Sequence, residues 1–327
     1  MKPPKWRNKR PLVIPAIAAL ALISLFVIKL VSSQKPSSAI LSSRENSFKA
    51  NFIIQNNDRE NFSKFLQNLN LPQNISKGFQ FKLDATSSAR LAFLTPLSAN
   101  LDIAPDNVQF TGSTDNGPTF ESFTPAILRV PAAANLIVAA NDFKNFARDK
   151  FNLPNEYENW LANNITSPPG QYLIVFGQNS DFAIVVKNKP DFEALKNIQI
   201  KGNNDAPYKQ EVMDNVTLHL IKITTKEQNK TYAFFQVGDF AYFVSSYEGA
   251  QELLKVEKAQ TPGTIFKPAQ NGKIVFAMEY QNPGSLPKDF AKTILANANE
   301  PPPVLTKVRK INLTLKTDSF SGLISVK

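Results

Sequence analysis

Two stretches of the chain say nearly the same thing. FKANFIIQNNDRENFSKFLQNLNLP (48–72) and NLIVAANDFKNFARDKFNLP (135–154) each carry an apolar alternating run into Asn-Asp. Asn-Phe follows two residues on, then a helical stretch closed by Leu-Pro. The same order recurs in DFAIVVKN to KPDFEALKNI, in YFVSS to YEGAQELLKV, and in KIVFAMEY through QNPGSL to PKDFAKTILAN. A chain that writes strand, polar link and helix five times is committed to packing helices on sheets.

The links have a local physical reason. Asn and Asp side chains accept hydrogen bonds from the free N–H groups of a first helical turn, and an acid there suits the helix dipole. Ser245 and Glu248 stand at capping-box spacing. Phe62, Phe65, Leu66 and Leu69 in one copy, and Phe143, Phe146, Ala147 and Phe151 in the next, recur at helical spacing. Each helix thereby gains one apolar face to lay on a sheet.

Between the units lie strands: GFQFKLDA, ARLAFLTP, NVQFTGS and NVTLHLIKIT alternate, and VRKINLTLKTDSFSGLISVK reads as two more. YAFFQV-GD-FAYFVSS is the clearest hairpin, with Gly238 at the first position of an expected type II′ turn. Alternation puts Tyr232 and Phe234 on one face, Phe235 and Val237 on the other, which marks a central strand buried between layers rather than a ligand surface. The expected class is α+β: an N-terminal transmembrane helix, then repeated strand–helix units with antiparallel sheets and helices layered on one face.

The basic charge has one address. The formal net charge is +10, but Lys2, Lys5, Arg7, Lys9, Arg10, Lys29 and Lys35 flank one apolar run and no acid occurs before Glu45. Without those seven, 30 basic residues face 27 acidic ones, so no case for nucleic acid remains. The run itself, LVIPAIAALALISLFVIKLV (12–31), is long enough as a helix to span about 30 Å of hydrocarbon. Five positive charges ahead of it predict an N-in, C-out orientation, with the lipid bilayer as the partner of residues 12–31. A cleavable signal peptide is the alternative, its nearest small-x-small site being Ser37-Ser38-Ala39. The expected organisation is a cytoplasmic flank (1–11), the anchor (12–31), a flexible Ser-rich linker (32–47), a small α+β domain (48–116) and a larger one (117–327).

From about residue 126 to 260 the chain resembles an uncharacterised bacterial family of membrane-anchored proteins, a domain of unknown function. The likeness lies in ILRVPAAANLIVAANDF, WLANN before a strand, FAIVVKNKPDFEALKNI, VTLHLIKI and YAFFQVGDFAYFVSSYEGAQELL. Ala162 stands where that family usually carries Gly after Trp-Leu. The resemblance implies a single-pass anchor and an exported α+β domain, and it supplies no catalytic residue.

Catalytic chemistry finds little material. There is no cysteine, and the single histidine, His219, shares a strand face with Thr217, opposite Val216, Leu218 and Leu220. It reads as an ordinary half-exposed strand residue, and no HExxH or second His exists to make a metal site. Only twelve glycines occur, in no GxGxxG, GxxxxGK[ST] or GxSxG pattern. The acidic clusters NNDRE (56–60), NDF (141–143) and NNDAP (203–207) lack calcium-loop spacing, and helix caps explain the first two. Six Asn-x-Ser/Thr triplets, at Asn61, Asn74, Asn164, Asn215, Asn229 and Asn312, are close to what chance gives in so Asn-rich a chain. Catalytic, cofactor and metal residues are therefore expected to be none. The function expected is an envelope protein with a non-enzymatic binding or structural module. An envelope hydrolase with a carboxylate or Ser-Lys site and a carrier of lipid or peptide are the alternatives.

Overall fold

The computed structural model describes residues 27–28, 37–44, 47–69, 97–114, 122–123, 128–131, 134–140, 143–151, 153–165, 170–177, 181–198, 207–224, 229–256, 274–282 and 306–327. Their strands, in chain order, are β1 (Val27–Ile28), β2 (Ser38–Arg44), β3 (Ser47–Ile53), β4 (Leu97–Ile103) and β5 (Asn107–Thr114). Next come β6 (Leu136–Ala140), β7 (Gln171–Phe176), β8 (Asp181–Val186), β9 (Tyr208–Met213) and β10 (Val216–Thr224). The last are β11 (Asn229–Val237), β12 (Phe240–Val244), β13 (Ile274–Gln281), β14 (Val308–Lys316) and β15 (Ser319–Val326). The helices are α1 (Arg59–Asn68), α2 (Lys144–Phe151), α3 (Asn155–Ile165), α4 (Phe192–Lys196) and α5 (Tyr247–Leu254).

All these strands join one sheet, in the order β1-β3-β2-β4-β5-β15-β14-β13-β6-β7-β8-β12-β11-β10-β9. Every neighbouring pair is antiparallel except β1 with β3. The fold is therefore dominated by a single antiparallel sheet, and three expectations need correcting. A transmembrane helix over 12–31 is overturned at its far end, where Val27 and Ile28 pair with Asn51 and Phe52 in a parallel ladder. Their backbone is extended to reach that ladder, which a helix forbids. Among the described residues no helix is long and apolar enough to cross a membrane. The Ser-rich linker likewise contains β2, whose Ser and Arg residues pair along the whole length of β3.

Helices do not all share one face. Alternate strand residues divide the core in two. One layer holds Phe62 and Phe65 of α1, Phe143, Ala147 and Phe151 with α2, Tyr157, Trp160 and Leu161 of α3, and Leu195 of α4. Leu136, Val138, Leu173, Val175, Ile184, Phe234 and Phe243 meet them from the sheet. The opposite layer holds Ala250, Leu253 and Leu254 of α5, with Leu128 and Val130, against Ile137, Ile174, Val185, Phe235 and Tyr242. Arg129 ties that cover down: its backbone N–H donates to Tyr242 Oη at 3.2 Å and its Nη1 to the Leu254 carbonyl at 2.9 Å, at the end of α5. The local pattern strand, link, helix gives each helix a stripe but does not say over which face the chain returns.

Burial follows the covers. β7 is buried at all six positions and β8 at five of six, as strands sandwiched between layers must be. β14 and β15 instead alternate, with Val308, Ile311, Leu313, Leu315, Phe320 and Ile324 inward. Gln109, Thr111, Ser113 and Ser321 on the other side are exposed. Gly322 of β15 faces Phe110 of β5, and a Cβ there would lie 2.0 Å from the Phe110 ring. The glycine makes room for the ring over the strand.

Turns match their residues. Gly238 has φ +60° while Asp239 stays negative, the signature of the expected type II′ hairpin. Asp214 and Asn215 are both positive, at 50° and 61°, so β9 and β10 are joined by a type I′ turn.

Candidate functional site

The last hairpin of the sheet carries the chain's lone imidazole. Cross-strand register sets Tyr208 opposite Ile221 and Gln210 opposite His219, so these four share a face, the one covered by α4. Asp191 starts α4 by accepting the Ala194 N–H at 3.1 Å, and it fixes where Phe192 points. The Phe192 ring stacks on His219 at 4.1 Å between centroids and 10° between planes. Trp160 Nε1 donates to the Asp191 carbonyl at 2.9 Å, and its indole sits 5.9 Å from Phe192 and 5.8 Å from Phe234. His219 is thus 6 % exposed, against the expected half-exposed strand residue, because α4 closes over a face that alternation alone leaves open.

One hydrogen bond orients the ring: Tyr208 Oη and His219 Nδ1 are 2.7 Å apart. Burial pushes the imidazole down to about 4, the nearby Lys196 ammonium adds to that, and Glu193 opposes it. Lys196 and Glu193 pair with each other at 2.6 Å on the exposed side of α4. At neutral pH the ring is uncharged and can accept the Tyr208 O–H at Nδ1. Burial raises Tyr208, with the Gln210 side chain opposing and Glu193 reinforcing. Tyr157 of α3 is also raised, by burial and then by Tyr208, and its buried hydroxyl has no hydrogen-bond partner. The group is an aromatic nest around one neutral His–Tyr pair. Its imidazole is held by stacking and hydrogen bonding, and among the described residues no carboxylate hydrogen-bonds it to make it a base.

A second polar group sits where the sheet passes from β13 to β14. Glu279 lies opposite Asn312, and Gln281 opposite Lys310, so the four form a square on one face. Glu279 is 1 % exposed, and its Oε1 receives Lys310 Nζ and Gln281 Nε2, each at 3.0 Å. Glu279 Oε2 and Asn312 Oδ1 are buried without partners. A half-turn of the Asn312 amide would offer its Nδ2 in place of Oδ1. The sequence did carry a signal for this group, a Glu inside the apolar run KIVFAMEY, but nothing in the run says which side chain faces it.

The other singled-out residues have structural partners. Asp58 precedes α1 but makes no cap bond with its side chain, which accepts from the Ser37 hydroxyl instead. Asn141, Asp142 and residues 203–206 lie outside the described residues, as do Asn74 and PKDFAKTILAN. Where α2 begins, Gln171 of β7 accepts the Phe143 N–H at 2.8 Å, and its Nε2 donates to the Ile165 carbonyl at the end of α3. The cap of α5 is Ser246, which takes the Gly249 N–H at 2.9 Å; Ser245, one residue earlier, is buried and takes the Phe182 N–H. Asn61 and Asn164 use their amides on the Ile103 and Trp160 carbonyls. Among the described residues no group of three His, Cys, Asp or Glu is placed to share a metal ion.

No family model matches the chain, and no curated protein matches it. Among solved structures, crystal form I of TP0453 aligns at TM-score 0.37 and 12 % identity, over 62 % of this chain and 78 % of that one. Crystal form IV of TP0453 aligns at 0.34 and 10 %, over 61 % and 76 %. Likeness at that level carries no argument about what this chain does.

Proposed function

We propose that this chain is an exported protein, kept at the outer side of a membrane, whose sheet serves as a non-enzymatic binding or structural module of the cell envelope. The observation that carries the reading is the N-terminal charge arrangement: five bases, an apolar run, and no acid before Glu45, ahead of a nearly neutral remainder. Such a segment is the pattern of a chain targeted for export.

The non-enzymatic half is supported by how the polar side chains are used. His219 is stacked and hydrogen-bonded, Gln171 and Ser245 bind backbone groups, and Glu279 binds Lys310 and Gln281. A carrier of apolar ligands would need a cavity of a few hundred Å³ under the helices. Phe151 lies 5.0 Å from Phe182, 5.5 Å from Tyr232 and 5.8 Å from Phe234, and Trp160 lies 6.0 Å from Phe243, so beneath α2 and α3 ring packs on ring. The test is a reporter that works only outside the cytoplasm, fused after Lys327. Activity of that fusion is the expected result, and activity only of a cytoplasm-dependent reporter at the same site rules the reading out.

A further inference from the structure

We infer that the β9 edge of the sheet is a self-pairing surface, which joins two copies of this chain edge to edge about a twofold axis. The inference is independent of the compartment proposed above. β9 is the end strand of the sheet beside β10, and Lys209, Gln210, Glu211 and Val212 are exposed. Val212 is the one large apolar side chain among the described residues that stands out in solvent, at 71 % exposure.

The hydrogen-bond parity of the hairpin settles what this edge offers. In a two-residue I′ hairpin the flanking residues, Met213 and Val216, form a hydrogen-bonded pair. Alternation makes 211 with 218 and 209 with 220 the next bonded pairs, and the Lys222 N–H donates to the Pro207 carbonyl at 2.8 Å in the same series. The N–H and C=O groups of Tyr208, Gln210 and Val212 therefore point away from β10, into solvent. An antiparallel copy of the same strand must set these three against themselves.

Three twofold registers bring two or more of them together. One centres on Lys209 and stacks it on its own copy, and another centres on Glu211 and does the same; both put like charges face to face. The third centres on Gln210. It pairs Tyr208 with Val212 of the other copy in both directions, and it places Lys209 opposite Glu211 twice. Six backbone hydrogen bonds form, the exposed valine is covered, and every charge faces its opposite. Lys and Glu on this edge thus act as selectors: they block the slipped registers by which an open strand aggregates, and they leave one closed dimer. Glu211 also receives the Tyr247 hydroxyl from α5, which fixes its side chain on that face.

The chain has no cysteine, so an introduced one reports cleanly. Gln210 sits on the twofold axis, where Cα atoms of a bonded antiparallel pair are about 5.5 Å apart, within disulfide reach. Thr217, exposed on β10, lies three strand spacings from its copy, on the order of 14 Å. In the full chain under mild oxidant, Gln210→Cys is expected to give a covalent dimer about tenfold more abundant than Thr217→Cys gives. Adding Glu211→Lys should remove the cross-link, and adding Lys209→Glu to that variant should restore it. The restoration separates pairing between copies from the Tyr247 contact, which the exchange does not rebuild. No cross-link at Gln210→Cys, equal cross-linking at both positions, or no rescue by the charge exchange would each overturn the inference.

Discussion

His219 shows how one residue's character changes between chain and fold. On the strand it alternates as expected, opposite Leu218 and Leu220. What buries it is Phe192, brought over by a five-residue helix. Its ionisation then becomes a stability property. The folded-state value is near 4 against an ordinary 6.5, so the unfolded chain binds the proton first as pH falls. The contribution is whole above about pH 6.5, declines through that range, and is fully lost below about pH 4, at most about 3 kcal/mol. In urea melts between pH 7 and 4, His219→Phe is expected to flatten this part of the pH dependence. An unchanged slope would show that the imidazole is not the group responsible.

At the scale of the element, the apolar stripes of α1 and α2 were legible and the caps were not. Phe62, Phe65, Leu66 and Leu69 are all buried, as are Phe143, Ala147 and Phe151, because helical spacing alone dictates a common face. Caps depend on where a side chain turns, and two of them moved: Asp58 reaches Ser37, and Ser246 replaces Ser245. At the start of α2 the Phe143 N–H is taken by Gln171, which is distant in sequence. Gln171 is 1 % exposed and serves the start of α2 and the end of α3 at once. Gln171→Leu should therefore cost about 2–4 kcal/mol by denaturant titration, from two buried backbone groups left unpaired. Ser246→Ala, which removes one ordinary cap, should cost about 1 kcal/mol. Equal losses for the two would mean that Gln171 is no more than a local cap.

At the scale of the whole molecule, β13 and β14 join the half of the sheet covered on both faces to the half with one polar face. Glu279 is buried at that joint with Lys310 as its ion-pair partner. Lys310→Met leaves a buried carboxylate unpaired and should destabilise the chain by about 3–5 kcal/mol. Lys310→Met with Glu279→Leu should recover most of that loss, since an apolar pair needs no partner. A thermal-melt cycle in which the double variant is as weak as the sum of the singles would refute this account of the joint.

By itself the sequence determined the period of each element: which residues alternate, which recur at helical spacing, and where Gly238 must turn the chain. Those are local matters of backbone sterics and side-chain direction. Tertiary structure decided the rest. It joined all the described strands into one sheet, sent α5 to the face opposite α1–α4, drew Val27 and Ile28 into a ladder, and closed Phe192 over His219. Such choices depend on which distant surfaces meet. An apolar stripe states that it must be covered, and its own sequence does not name the cover.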